Sequence, residues 1–481
     1  EIASCLVGSE MCIRDRLCIT GYTCQDLFFQ QTLLDGALNA LKDITEHSAG
    51  LDMLIAVGCP LRFRGELYNC AVVMKDGKIL GVVPKKFLPN YNEFYEKRHF
   101  TAAPEGEYDI ELFGESVPFG LGLLFECRGT PELVFAAEIC EDLWAAEPPS
   151  ISLALGGATL IANLSASNET IGKDSYRREL VNSQSARLLC GYVYASAGSG
   201  ESTQDLVFGG HDIIAENGIV LAESKLYSTG LTVTEIDVQK LASERRRNTS
   251  FVGGLRPGMR RIPFDMEIKP AELTRIVRRT PFVPNTSAET DKRCEDILTM
   301  QAHGLEKRVR HTNAKTLVIG ISGGLDSSLI SAIADSHFTA RGKTLQTFSV
   351  GYQDNKKYFH ATHFQPSPDA PYIRTMNQFL NAQHTWVTLD SEALAAALLE
   401  AVDARDLPGM ADVDSSLLLF CREIRKTATV ALSGECADEI FGGYPWYRDK
   451  TVRERYGFPW AQSTAYRVSS VSYTHLTLPT I

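Results

Sequence analysis

No two of the twelve cysteines in these 481 residues are spaced as a CxxC pair, and none falls into a metal-ligand spacing. That argues against a disulfide framework or a cysteine-built metal site and leaves most of them as small buried residues suited to a reducing compartment. No apolar run reaches transmembrane length and no secretory signal is evident, so a cytoplasmic chain with no membrane partner is expected. An excess of basic residues is also lacking. With 59 acids against 48 Lys and Arg the net charge is −11, which argues against a nucleic-acid partner. Basic clusters such as Arg245-Arg246-Arg247 and Arg260-Arg261 are short and read as solvated faces. What the chain does have is length for two domains and, at 44% hydrophobic and 22% charged residues, the balance of a globular protein.

The most informative stretch is Leu317 to Ser328, LVIGISGGLDSS. Val318, Ile319 and Ile321 predict a buried strand, Ser322-Gly323-Gly324 a turn, and Leu325 onward a helix. Adjacent glycines let backbone approach a ligand, and the helix N-terminus offers free N–H groups to phosphate oxygens. The hydroxyls of Ser322, Ser327 and Ser328 add donors, and Asp326 is placed to hold Mg2+. The loop lacks the Gly-Lys-Ser/Thr ending of a Walker P-loop, which disfavours a kinase or GTPase. SGGLDSS resembles the pyrophosphate loop of the ATP pyrophosphatases, which implies ATP binding by Ser322, Gly323, Gly324, Leu325, Asp326, Ser327 and Ser328.

From Leu17 the chain alternates strand and helix patterns. Asp26 to Asp43 predicts a helix, Leu51 to Cys59 a strand, and Asn69 to Val83 a hairpin around Lys75-Asp76-Gly77-Lys78. A further apolar strand, Leu133 to Ile139, ends at Cys140, where a turning chain could present a nucleophile. A lone cysteine is more often core filler. Two stretches together, GVVPKKFLPNYNEFYEKRHF at 81–100 and AAEICEDLW at 136–144, resemble the glutaminase domain of glutamine-dependent NAD+ synthetase, a branch of the nitrilase superfamily. The resemblance runs from about Leu17 to Leu325 and includes NLSAS at 163–167, IGK at 171–173 and PFVP at 281–284. It implies a Cys-Lys-Glu triad with Cys140 as nucleophile and Lys85 as its partner. It also implies glutamine contacts from Tyr91, Ser167 and Lys173, the last in place of a common arginine, keeping charge but losing the bidentate fork.

The triad's glutamate should precede Leu17-Cys18-Ile19-Thr20-Gly21-Tyr22, and Arg16 stands there instead. A cation cannot accept a thiol proton, and Arg16 is expected to pair with Glu141 or another nearby acid. Residues Cys5 to Arg16 and the tail Val471 to Ile481 resemble translated sequencing-adapter sequence, and both ends (1–16 and 471–481) are read as foreign termini outside the glutaminase and synthetase domains.

After Ser328 the resemblance changes. FQPSPDAPYI, ARDLPGMADVDSSLLLFCREI and TVALSGECADEIFGGYPWY are similar to the synthetase domain of asparagine synthetase. That implies Val350 against the adenine, Ser433 and Gly434 on ATP, and Glu435 and Asp438 in catalysis or magnesium binding. The loop is the only sequence the two families share, so two genes joined within it are expected. The resulting expectation is an α/β chain. A nitrilase-like αββα sandwich occupies 17–255, a connector and helix 256–311 (the helix from about Lys292), and a truncated doubly wound ATP-pyrophosphatase domain 312–470. Glutamine, ATP with Mg2+ and a carboxylate acceptor would be its substrates, in a homo-oligomer. The resemblance implies amidation through an acyl-adenylate, with NAD+ synthesis from nicotinic acid adenine dinucleotide first and asparagine synthesis as the alternative. A simple carbon–nitrogen amidase, or an inactive chimera that binds nucleotide without turnover, stays open.

Overall fold

Along the strand Met53–Phe63, Leu54 and Ala56 enter one apolar cluster while Ile55, Val57 and Cys59 enter another. The strand Val134–Ile139 does the same, with Phe135, Ala137 and Ile139 on one side and Val134 and Ala136 on the other. Strands that are apolar at every position bury both faces, so each sheet must be covered twice. In the computed structural model the chain divides into two units, Glu1–Arg279 and Thr280–Ile481. The structure describes residues 3–434 apart from 5–9, 204–205, 255, 268–274, 276–282, 285, 315, 323, 362–366 and 410.

The first unit stacks an eight-stranded and a seven-stranded sheet over a shared core that includes Leu54, Ala71, Val73, Phe125, Phe135, Leu160 and Val193. Helix Gln31–His47 covers the outer face of the first sheet through Ala37 and Leu41. Helices Pro149–Leu155 and Lys173–Leu188 cover the second through Leu153, Ala154, Val181 and Leu188. This is the αββα sandwich expected of a nitrilase-like domain. The Asp76-Gly77 hairpin also forms, with φ of 49° and 74°, the left-handed pair that suits a two-residue turn.

Three expectations are corrected. Residues 10–16 are not outside the fold: Glu10–Ile13 pairs parallel with Met53–Phe63, and Met11 and Ile13 are buried between the sheets. The segment's own alternation fits the pleat. Gly58 makes room for it, since a Cβ there would lie 2.2 Å from the Leu17 nitrogen. The tail 471–481 lies outside the described residues. The connector expected from Arg256 supplies the edge strand Arg260–Phe264, parallel to Leu123–Cys127, with Ile262 and Phe264 buried. Nor are the basic clusters simply solvated. Arg245 donates to the carbonyls of Leu188, Leu189 and Ala158 at the ends of two helices, and burial pushes its guanidinium down to about 10.

The second unit carries a parallel sheet in the order Ala382–Leu389, Leu345–Tyr352, Leu317–Gly320, Val430–Leu432. The chain winds one way from Leu317–Gly320 and returns on its other side, so a topological switch point opens at the carboxyl end of that strand. Helix Ser287–His311 begins five residues before the expected Lys292. Thr286 caps it, its hydroxyl accepting from the Glu289 N–H at 3.2 Å.

Candidate active site

Cys140 follows directly on the buried strand Val134–Ile139 and has φ 48° and ψ −100°. That is a strained conformation for a residue with a Cβ, costing about 1–3 kcal/mol, of the kind concentrated at functional positions. Asn163 on the adjacent strand holds it in place. Its Oδ1 accepts from the Cys140 N–H at 2.9 Å and its Nδ2 donates to the Cys140 carbonyl at 3.3 Å.

Lys85 leaves the end of strand Lys78–Pro84, fully buried, and its Nζ lies 2.5 Å from Glu96 Oε2. Asp142 ties this segment to the cysteine turn. Its carboxylate accepts from the N–H groups of Lys86 (3.2 Å), Phe87 (2.8 Å) and Ile139 (3.0 Å). Three backbone donors on one buried acid fix the lysine loop against the cysteine loop.

Burial pushes the Asp142 carboxyl up to about 7, against the opposing pull of Lys85 and its backbone donors. Between about pH 4 and 7 the folded chain therefore binds a proton that the unfolded chain releases. The stability this proton carries is present in acid and lost as pH rises through 7. Asp142→Asn is expected to flatten this part of the pH–stability curve relative to the parent, read as thermal midpoints from pH 4 to 8. It should also lower stability at every pH, because one carboxamide face cannot accept from backbone N–H groups. Parallel curves for the two proteins would rule out Asp142 as the group responsible.

Arg16 is fully buried in the same place. Its Nη1 lies 2.6 Å from Glu96 Oε1, and its guanidinium stacks 3.9 Å from the Tyr22 ring centroid. Burial alone would lower its pKa, but the Cys140 sulfur and the Glu96 carboxylate reverse this and hold it above its ordinary value. Of the partners expected for Arg16, Glu141 or another nearby acid, the structure selects Glu96, and Glu141 instead accepts from the Tyr91 hydroxyl at 2.7 Å. Glu96 therefore bridges Lys85 and Arg16. Sequence reasoning gave Glu96, Asp142 and Asn163 no role, although Glu96 and Asp142 stand inside the two quoted stretches.

An open cleft of about 850 Å3 lies over the sulfur, and its lining brings together Cys140, Tyr91, Ser167 and Lys173. Lys173 starts the helix Lys173–Leu188 behind Gly172. Its Nζ donates to Asn168 Oδ1 at 2.6 Å and lies 5.4 Å from the Trp144 ring centroid. Desolvation lowers its pKa, so an anion brought into the cleft would be attracted to a poorly hydrated ammonium.

In the second unit, Leu317–Gly320 leads into the turn and the helix Leu325–Thr339 as expected. The Ser327 hydroxyl is buried and accepts from the Ser322 N–H at 3.2 Å, bracing the loop where a phosphate contact was expected. Ser433 and Gly434 follow the strand Val430–Leu432, and a Cβ on Gly434 would lie 3.0 Å from the Ser327 nitrogen. The two nucleotide motifs thus meet at the switch point. Val350 lies on the neighbouring strand Leu345–Tyr352, partly exposed. Gly323, Glu435 and Asp438 lie outside the described residues. Among the described residues no group of three His, Cys, Asp or Glu side chains could hold a metal. Asp326, in the first helical turn, fits the single carboxylate that Mg2+ on a nucleotide commonly takes.

The class is defined by these features: a carbon–nitrogen hydrolase fold around a strained cysteine, followed by an ATP-pyrophosphatase-like nucleotide fold. Residues 8–246 match the carbon–nitrogen hydrolase family and residues 301–478 the asparagine synthase family. More particularly, the chain is 41% identical over 346 residues to glutamine-dependent NAD(+) synthetase of Mycobacterium bovis, covering 70% of this chain and 51% of that protein. The Aquifex aeolicus enzyme of the same name is 28% identical over 319 residues, or 66% of this chain and 51% of that one. Asparagine synthetase [glutamine-hydrolyzing] 3 of Bacillus subtilis is 53% identical over 153 residues, covering 32% of this chain and 25% of that protein. The chain spans about half the length of the NAD(+) synthetases it matches. No described helix is long and apolar enough to cross a membrane.

Proposed function

We propose that the chain is built for glutamine-dependent, ATP-driven amidation of a carboxylate, with nicotinic acid adenine dinucleotide as the acceptor. The observation carrying this reading is the strained Cys140, which opens into a cleft with Tyr91, Ser167 and Lys173 on a turn that Asp142 ties to the segment following buried Lys85. In that chemistry the Cys140 sulfur attacks the glutamine amide carbon, the C–N bond breaks, and ammonia leaves with a proton. Water then cleaves the thioester to release glutamate. Lys85 stabilises the developing oxyanion.

The second unit would receive ATP at Ser322 to Ser328 and at Ser433-Gly434. A carboxylate oxygen attacks the α-phosphorus, pyrophosphate leaves, and ammonia displaces AMP to give the amide. Magnesium bound with ATP would be held by Asp326 and, in this reading, Asp438, and it supplies charge neutralisation of the phosphates. Glu435 is assigned to catalysis and Val350 to the adenine face. Aspartate is the second acceptor reading, favoured by the 53% identity to asparagine synthetase in this part. A reducing cytoplasm, supported by the free cysteines among the described residues, and a homo-oligomer complete the proposal.

Exchange of labelled pyrophosphate into ATP, measured with each acceptor in turn, tests it. Exchange is expected with one acceptor, and Asp326→Asn should lower it by about 10²-fold without a change in melting temperature. Net glutamine-dependent amide should form far more slowly than exchange, because the two parts resemble different families. Equal exchange in parent and Asp326→Asn would refute the loop assignment. Fast formation of either amide would refute the joined-family reading.

A further inference from the structure

Glu138 is a buried acid that no role above uses. It stands on the strand Val134–Ile139, two residues before Cys140, and shares the face of Val134 and Ala136 that the helices cover. A carboxylate buried there is costly unless donors meet it. The Tyr192 hydroxyl donates to Oε1, and the Ser150 N–H donates to Oε2 at 2.8 Å. Gln184 extends the network, its Nε2 donating to Ser150 Oγ at 2.9 Å. Asn163 lies directly opposite Glu138 in the sheet, and its side chain interacts with both Glu138 and Tyr192.

Asn163 is also the residue that holds both backbone groups of Cys140. An amide has a donor end and an acceptor end, and a neighbouring carboxylate favours the donor end. Glu138 and the Cys140 backbone therefore select the same orientation, with Nδ2 toward the carboxylate and the Cys140 carbonyl and Oδ1 toward the Cys140 N–H. We infer that Glu138 is a positioning residue for the nucleophile: it locks the Asn163 amide and, through it, the turn that presents the Cys140 sulfur to the cleft. This rests on Cys140 as the nucleophile of the glutamine reading above and adds what keeps its strained backbone in place. Glu138→Gln reverses one polarity in this chain of contacts. The Ser150 N–H can only donate, so the new carboxamide oxygen must face it and the new NH2 takes the place of Oε1. The Tyr192 hydroxyl can turn to accept from that NH2, but Asn163 Nδ2 cannot.

The test labels Cys140 in the full chain with an electrophilic glutamine analogue over a range of concentrations, followed by the mass of the Cys140 peptide. Glu138→Gln is expected to lower the saturating rate about tenfold with the half-saturating concentration unchanged, the mark of a displaced sulfur in an intact cleft. Gln184→Leu cuts the same network on the side away from Cys140. It should lower the melting temperature and leave the labelling rate at the parent value. Glu138→Gln added to Asn163→Ala should cost nothing further, because the path is already broken. A parent-like rate in Glu138→Gln, equal slowing in Gln184→Leu, or full additivity with Asn163→Ala overturns the assignment. If Glu138→Gln does not fold, Glu138→Asp, which draws the charge back by one methylene, is measured with the same expectations. Iodoacetamide rates are taken in parallel, with the same order of variants expected. Absence of saturation by the analogue in the unmutated chain refutes the glutamine reading alone, and the order of the iodoacetamide rates still decides the role of Glu138.

Discussion

Replacing Asp15 by Pro and Arg16 by Glu is expected to speed labelling of Cys140 by an electrophilic glutamine analogue by about 10²–10⁴-fold, the usual worth of a general base. Arg16 has no exposed surface and pairs at 2.6 Å with Glu96, the carboxylate that also bonds Lys85. One acid thus answers two cations, so Glu96 is not free to take the thiol proton. A glutamate at position 16 restores an acceptor and returns Glu96 to Lys85 alone. Rates by intact mass for the parent, the double replacement and the double replacement carrying Cys140→Ala decide the matter. The last should not label. If the parent labels as fast as the repaired chain, then the base lies elsewhere, and Glu96 is the residue to replace next. Equal melting temperatures would show that the gain is chemical and not a rescue of folding.

Gly434→Val is expected to weaken ATP binding by at least about tenfold, measured by calorimetry with magnesium present. A Cβ at Gly434 would stand 3.0 Å from the Ser327 nitrogen and 3.1 Å from the Asp326 Cβ. A β-branched side chain must therefore push the turn after Val430–Leu432 away from the start of helix Leu325–Thr339. The cost falls on the nucleotide because both segments border the crevice where a phosphate would be held. Ser433→Ala changes the same turn without the clash and should cost far less. Equal affinities for Gly434→Val and the parent would separate the Ser433-Gly434 turn from nucleotide binding.

How much of this was legible beforehand depends on how local the cause is. Strand, turn and helix at Leu317 to Thr339 are written in an apolar β-branched run, two glycines and a helix start, and they form where expected. The Asp76-Gly77 hairpin and the buried strand before Cys140 are equally local. The resemblance of four short stretches, 81–100, 136–144, 163–167 and 171–173, also singled out Tyr91, Cys140, Ser167 and Lys173, which share one cleft. The termini were read by their oddness alone, and that missed Met11 and Ile13. Two alternating apolar residues suffice for a strand once a neighbouring strand and Gly58 offer a slot.

What the sequence by itself determined is the pattern of elements and the chemical types at the nucleophile and the phosphate loop, because period and turn chemistry act over a few residues. Only the tertiary structure decided which charges meet. Glu96 is pinned between Lys85 and Arg16, Asp142 gathers three N–H groups from two segments, and Asn168 spans Glu93 and Lys173. A buried ionic group takes its partner from whatever the packing brings within reach, and leaving it unpaired is expensive enough that a partner 80 residues away in sequence serves as well as a neighbour.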